Sequence, residues 1–338
     1  MTFAETIARN CAHVQPGWWA RYAYHYTDLI NAISILTSGH LYSRIQADGK
    51  GLMRNDNASR QVIDMTSSRA TSYVRFYFRP LTPTQYHNEG YKHPAIRYCG
   101  DENANVPVPI FFLFDLEMLL SRQETCFSAL TQAGHGNPLQ SGEEAFAALP
   151  FEQIYSSGSA NRDTLKYRHA ELLFPVEYPI SESLRCIYCR NECERTTFLN
   201  YLRLESPSAF AHYQNSIRVA GDGLFQRNGL FVESVSLHDN IVSFSFADTP
   251  EKRDYARRYN RGNQPLTLEA NFVFEWLRGS ATVSASFADV RIDYLAPRTI
   301  AFKLPNRAVD ADTLRVALRI GGQLLCLFEQ PLSSYELM

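Results

Sequence analysis

Glu171 stands at the head of the run Ala170-Glu171-Leu172-Leu173-Phe174, where an apolar segment begins directly after the polar stretch Lys166-Tyr167-Arg168-His169. An acid at such a junction is placed to sit at a pocket edge. The commoner fate is a strand-edge carboxylate in solvent, because Glu is rarely buried unpaired. A carboxylate held in a pocket can accept a proton from a nucleophile or stabilise positive charge as it develops. Two other segments carry side chains for the same kind of site. Tyr22-Ala23-Tyr24-His25-Tyr26-Thr27-Asp28 offers an imidazole and a hydroxyl two residues apart, and Ser72 to Tyr86 is an aromatic stretch, Tyr73-Val74-Arg75-Phe76-Tyr77-Phe78-Arg79, interrupted by Pro80 and Pro83.

These residues need elements to position them. Leu29, Ile33 and Leu36 recur at helical spacing, with Thr27 available as an N-cap and Gly39 as a terminator, so His25 falls on a short strand leading into a helix. Apolar runs predict strands over 110–114 and 172–176, and the patterning predicts helices over 116–121, 143–149 and 194–202. Beyond residue 206 the texture changes to alternation, with Val242, Phe244 and Phe246 on one face and Ser243 and Ser245 on the other. Ile320-Gly321-Gly322-Gln323 reads as a hairpin turn. The expected class is α+β, with a first domain over 1–205 and a β-rich antiparallel domain of unassigned role over 206–338.

Taken together, the His25-Tyr26-Thr27 entry, the strand through Arg79-Pro80 with Thr82-Pro83-Thr84, the Ala170-Glu171-Leu172-Leu173 strand and the closing Arg190-Asn191-Glu192-Cys193-Glu194-Arg195-Thr196-Thr197 resemble the DarT family. Its members are NAD-dependent ADP-ribosyltransferases, toxins that modify bases of single-stranded nucleic acid. The resemblance covers roughly residues 18 to 205 and implies an ADP-ribosyltransferase-like fold. It implies NAD as the ADP-ribose donor, Glu171 as the catalytic acid, and His25 and Thr27 on the nicotinamide riboside side. Asn31 would bind the cofactor, with an exposed helical amide as the alternative, and Tyr77 would stack on nicotinamide, against the stronger reading of it as core. The family's essential arginine falls in the interval holding Arg54, Arg60 and Arg69, and spacing favours Arg60.

The segment from Tyr155 to Lys166 corresponds to the family's substrate-recognition loop. There Arg162, Lys166 and Arg168 would meet phosphates and Tyr155 or Tyr167 would stack on a base. His135 or Asn137 would position the target base. The aromatic strand with Arg79-Pro80-Leu81-Thr82-Pro83-Thr84 and the His169-Ala170-Glu171 spelling resemble the purine-modifying branch more than the thymidine-modifying one. The expected partners are single-stranded DNA or RNA and a cognate antitoxin, in a toxin–antitoxin or phage-defence setting. A NAD glycohydrolase, a protein-modifying transferase and a non-catalytic binding module on a degenerate fold are the alternatives.

Composition sets bounds on these readings. At 338 residues and 45% hydrophobic content the chain is long enough for two cores. A net charge of −2 gives no global attraction to phosphates, so nucleic-acid binding must rest on a local patch. No stretch approaches the roughly 20 apolar residues of a membrane span, no signal peptide is evident, and a cytoplasmic location is expected. Seven cysteines suit reduced thiols. Cys186, Cys189 and Cys193 are spaced as zinc ligands could be, but the residues between them read as a buried strand, and no metal is expected. Lys252 to Arg261 carries five basic residues and two tyrosines, which suits a single strand but fits a solvated helix better. There is no Gly-x-Gly-x-x-Gly after a strand, no Walker loop and no His-Glu-x-x-His.

Overall fold

In the run Tyr73 to Tyr77, every second side chain is buried, the period-two signature of a strand with one face packed. Strands of this kind build the first half of the architecture. The computed structural model describes residues 1–54, 68–102, 104–133, 137–158, 161–304 and 311–332. The chain forms two units. The first comprises Met1–His87, Ile110–Tyr188 and Asn215–Gln226, and the second comprises Asn88–Pro109, Cys189–Gln214 and Arg227–Met338.

The first unit is built on a seven-stranded sheet. Its strands are β1 (Tyr22–Asp28), β3 (Tyr73–Tyr77), β4 (Pro109–Asp115), β5 (Cys126–Ser128), β6 (Glu171–Pro175), β8 (Leu184–Cys189) and β9 (Ile217–Val219), in the order β5-β6-β3-β1-β4-β8-β9. A two-stranded ribbon pairs β2 (His40–Tyr42) with β7 (Glu177–Pro179). Helix α1 (Phe3–His13) opens on a capping box between Thr2 and Glu5. Helix α2 (Leu29–Ser38) ends at Gly39, whose φ of 71° is the left-handed conformation that terminates helices. Its N-cap is Asp28, not Thr27: the Asp28 carboxylate accepts from the Asn31 backbone N–H. The Thr27 hydroxyl therefore has no capping duty. Tyr24, Phe111, Leu113 and Leu224 form a core cluster on one face of the sheet.

The second unit contains two antiparallel sheets, as expected for the C-terminal part. One is β10 (Val232–His238), β11 (Ile241–Phe246) and β14 (Ile300–Lys303). The other is β12 (Thr267–Arg278), β13 (Ala281–Asp293), β15 (Thr313–Ile320) and β16 (Gln323–Pro331), in the order β13-β12-β15-β16. Phe244 and Phe302 of the first sheet meet Phe272 of the second, with ring centroids 5.0 and 4.7 Å apart. The predicted hairpin at Gly321-Gly322 joins β15 to β16. Gly90 and Gly229 meet so closely that a Cβ on Gly229 would lie 2.5 Å from the Glu89 carbonyl oxygen.

The helix Glu192–Glu205 starts at the Asn191 cap, whose side chain accepts from the Glu194 N–H. It belongs to the second unit and is fastened to β16 by Asn200, which donates to the Leu327 carbonyl at 3.0 Å. The basic stretch from Lys252 lies on the helix Pro250–Tyr259. Lys252 itself is buried, donating to the Ala247 carbonyl at 3.0 Å, and desolvation pushes its pKa down to about 8. Arg253 and Arg257 pair with Asp248 and Asp254, so much of the run's charge is matched locally.

Candidate active site

β3 pairs with β6 over five residues, from Tyr73↔Pro175 to Tyr77↔Glu171, but with β1 only at Tyr24↔Tyr77. Below that single pair β1 and β3 part. In the gap the His25 ring replaces a ladder bond, with Nδ1 3.1 Å from the Arg75 carbonyl oxygen. Because a carbonyl only accepts, this contact places a proton on Nδ1 and leaves Nε2 as an acceptor. Burial pushes the His25 pKa down, opposed by the bond to the Arg75 backbone. The imidazole is therefore neutral at pH 7.

The parting strands open a cavity of about 220 Å³. Its wall includes His25 and Thr27 from β1, Asn31, Ser34 and Ser38 from α2, Tyr42, Arg44, Tyr73 and Arg75. Hydroxyls, an amide and the cation of Arg44 among the apolar side chains of Ile35, Leu41 and Leu52 suit a ligand with sugars, an aromatic amide and phosphates. Three of the expected cofactor contacts, His25, Thr27 and Asn31, share this wall. The Asn31 Oδ1 also accepts from the Arg54 backbone N–H at 3.1 Å.

Glu171 is 1% exposed. The reading of it as a solvated strand-edge acid is thereby excluded. The Arg75 Nε donates to Oε2 at 3.0 Å and Nη2 to Oε1 at 2.5 Å, a bidentate pair, while the Thr131 hydroxyl donates to Oε1 at 3.2 Å. Desolvation, the largest single influence, lowers the Arg75 pKa, but the charge and hydrogen bond of Glu171 together with Tyr77 outweigh it and the net direction is upward. Glu171 is not itself in the cavity wall. Arg75 connects the two, lining the cavity with its residue and gripping the acid with its guanidinium. His169, two residues before Glu171, has its pKa lowered by burial, with Glu171 opposing.

Arg75, Thr131 and Arg44 were not singled out by the sequence reading. The available signal for Arg75 was an arginine inside an otherwise aromatic strand, two residues from Tyr77 and so on the same face. Nothing in the local spelling marks Thr131, which meets Glu171 only through the fold.

The remaining expected site residues are dispersed. Tyr77 is half-buried opposite Glu171, and burial raises its pKa. Tyr77 is absent from the cavity wall. Tyr155 is 2% exposed and stacks on Phe151 with centroids 6.1 Å apart, so its ring belongs to the core and is closed to a base. Arg168 is also buried: it donates to the Ser156 hydroxyl at 3.1 Å and the Gly158 carbonyl at 2.9 Å and serves the loop internally. Arg162 and Lys166 are exposed, and Tyr167 is half-buried. The Asn137 amide donates at 2.5 Å to the backbone carbonyl of Thr131, the residue whose hydroxyl donates to Glu171. Arg60 and His135 lie outside the described residues.

Cys186 and Cys189 are buried, and the Cys193 thiol lies 3.7 Å from that of Cys326. Among the described residues no group of three or more His, Cys, Asp or Glu side chains is arranged to hold a metal. No described helix is long and apolar enough to cross a membrane.

Residues 24–220 match the family model described as DarT, ssDNA thymidine ADP-ribosyltransferase. The chain belongs to the DarT family. Membership makes it an NAD-dependent ADP-ribosyltransferase of single-stranded DNA, with NAD as the donor. Among solved structures, it is similar to Thermus sp. 2.9 DarT in complex with carba-NAD+, at 17% identity, with 61% of this chain and 97% of that one covered and a TM-score of 0.47. The same protein in complex with ADP-ribosylated ssDNA matches at 16% identity, covering 61% and 96%, with a TM-score of 0.47. Thermosipho africanus DarTG in complex with ADP-ribose matches at 15%, covering 60% and 50%, with a TM-score of 0.45. No curated protein matches the chain.

Proposed function

We propose that this DarT chain transfers ADP-ribose from NAD to a ring nitrogen of thymidine in single-stranded DNA, using Glu171 as the catalytic acid. The observation that carries this reading is the buried Glu171 gripped by Arg75, whose own residue lines the cavity with His25 and Thr27. The family's description supports thymidine in place of the purine that the aromatic strand through Thr84 and the His169-Ala170-Glu171 spelling suggested.

In the proposed reaction the bond from ribose C1′ to the nicotinamide nitrogen breaks, and its electron pair leaves with neutral nicotinamide. Positive charge builds on the ribose, and the Glu171 carboxylate stabilises it. The base nitrogen then bonds to C1′ while its proton passes to Glu171. A neutral His25 with Nε2 free to accept suits the carboxamide and avoids repelling the cationic pyridinium. In this reading Thr27 and Asn31 hold the ribose and amide, and Arg44 joins Arg60 as a candidate for the pyrophosphate. Tyr77 orients the acid's strand end, with nicotinamide stacking as its further candidate role. On the acceptor side Arg162, Lys166 and Tyr167 meet the strand, and Asn137 and His135 approach the base. We place the transferase on residues 1–205 and assign the β-rich remainder no activity. A toxin's role opposite an antitoxin, in the cytoplasm, follows from the resemblance and is proposed with it.

The test is incubation with labelled NAD and single-stranded DNA and RNA oligonucleotides, read by mass spectrometry, with Glu171→Gln as control. Label on thymidine of DNA, absent in the variant, is the expected result. Free ADP-ribose alone would make the protein a glycohydrolase, label on protein would move the acceptor, and label on RNA would widen it.

A further inference from the structure

β3 ends at Tyr77, and the bend that follows carries Phe78 and Arg79, the latter 2% exposed. Its Nε donates to the Pro80 carbonyl at 2.9 Å, and its Nη1 donates to the carbonyls of Ile154, at 3.0 Å, and Ser156. The guanidinium lies over the Trp19 ring, 4.7 Å from its centroid. None of these partners is an acid. Burial, reinforced by the charge of Arg168, pushes the Arg79 pKa down to about 9, which leaves the group charged at pH 7.

A cation buried without a counter-charge is a costly way to fill space, and an apolar side chain of similar volume would fill it at less cost. What the planar fork provides is geometric: it fixes two carbonyls two residues apart. Those carbonyls close the helix Phe151–Ile154 and begin the segment that leads to Arg162 and Lys166. From the other side Arg168 holds the Ser156 hydroxyl and the Gly158 carbonyl. Ser156 is thus gripped at backbone and side chain by two arginines.

We propose that Arg79 is a positioning residue for acceptor recognition, fixing the root of the segment that presents Arg162, Lys166 and Tyr167 to the oligonucleotide. This rests on the reading of the chain as a transferase of single-stranded DNA. Arg79, which holds the loop root, stands four positions after Arg75, which holds the acid, a span of at most roughly 13 Å even for a fully extended chain. Loosening Arg79 therefore frees the root of the segment that meets the oligonucleotide while β3, with Arg75 and the acid it holds, stays in place, so the loss falls on capture of the acceptor.

The test is steady-state transfer by the full chain carrying Arg79→Lys or Arg79→Met, varying the oligonucleotide and NAD separately. The expected result is a KM for the oligonucleotide raised about tenfold or more, with the KM for NAD and the kcat at saturating oligonucleotide within about twofold, and a smaller effect for lysine than for methionine. Should the methionine variant fail to fold, the lysine variant carries the test, and amide exchange across 154–158 must quicken in it while β6 stays protected. Parallel losses in both KM values and kcat, or no change in any, overturn the proposal while leaving the transferase reading intact. A wild-type protein that labels no oligonucleotide overturns both.

Discussion

At the scale of single residues the site turns on the pair Arg75–Glu171. Replacing Glu171 with Gln keeps the shape and removes the charge and the base. The expected loss of kcat is about 10²- to 10⁴-fold with NAD affinity retained, read from nicotinamide release and calorimetric binding. Arg75→Ala has a different signature, because it leaves the 1%-exposed Glu171 without its counter-charge. Removing one partner of a buried pair costs about 3–5 kcal/mol, so the midpoint of thermal unfolding should fall clearly. The double variant Arg75→Met, Glu171→Leu should regain stability while remaining inactive, and a double variant as unstable as the single one would contradict this account.

At the scale of elements, the parts legible in the sequence were those with a period or a stop signal. The aromatic strand stopped before Pro80, the helix closed by Gly39, the alternation of Val242, Phe244 and Phe246 and the Gly321-Gly322 turn each announce themselves locally. That His25, Thr27 and Asn31 share one cavity wall follows from the strand-to-helix segment they stand in, which the sequence marks. Arg75, Thr131 and the inward turn of Tyr155 and Arg168 were not legible, since they depend on cross-strand register and on which side of a loop faces the core.

The second unit offers element-scale checks. Gly229→Ala would drive a methyl to 2.5 Å from the Glu89 carbonyl oxygen and should destabilise the protein by about 1–3 kcal/mol, measurable by urea unfolding. Glu194 is buried beside Arg190 and Glu89, and desolvation outweighs the Arg190 attraction, pushing its pKa up to about 7 from an ordinary 4.5. Between those values the folded chain binds the proton that the unfolded chain has released, so this group's contribution makes stability fall as pH rises from about 4.5 to 7. Glu194→Gln should flatten that slope in unfolding experiments across the window.

At the scale of the whole molecule, the charges nearly cancel, 33 basic against 35 acidic residues. Nucleic-acid affinity must therefore come from a few contacts, with Arg162 and Lys166 the exposed basic groups of the proposed patch. Each phosphate neutralised on a single strand contributes a slope of about −0.7 in log affinity against log salt, so two contacts give about −1.4. Oligonucleotide titrations at several salt concentrations should give a shallow dependence near that value, and Arg162→Ala should remove about 0.7 of it. A slope several times steeper would mean that a larger basic surface takes part.

The grip of Arg79 on carbonyl oxygens has an evolutionary corollary. Main-chain oxygens are the same whatever amino acid bears them, so substitutions at the exposed positions beyond Ser156, such as Arg162 and Lys166, can retune which base is chosen without loosening the hold of Arg79 on the root. Preference among bases is then free to drift in descendants of this chain while donor cleavage stays intact.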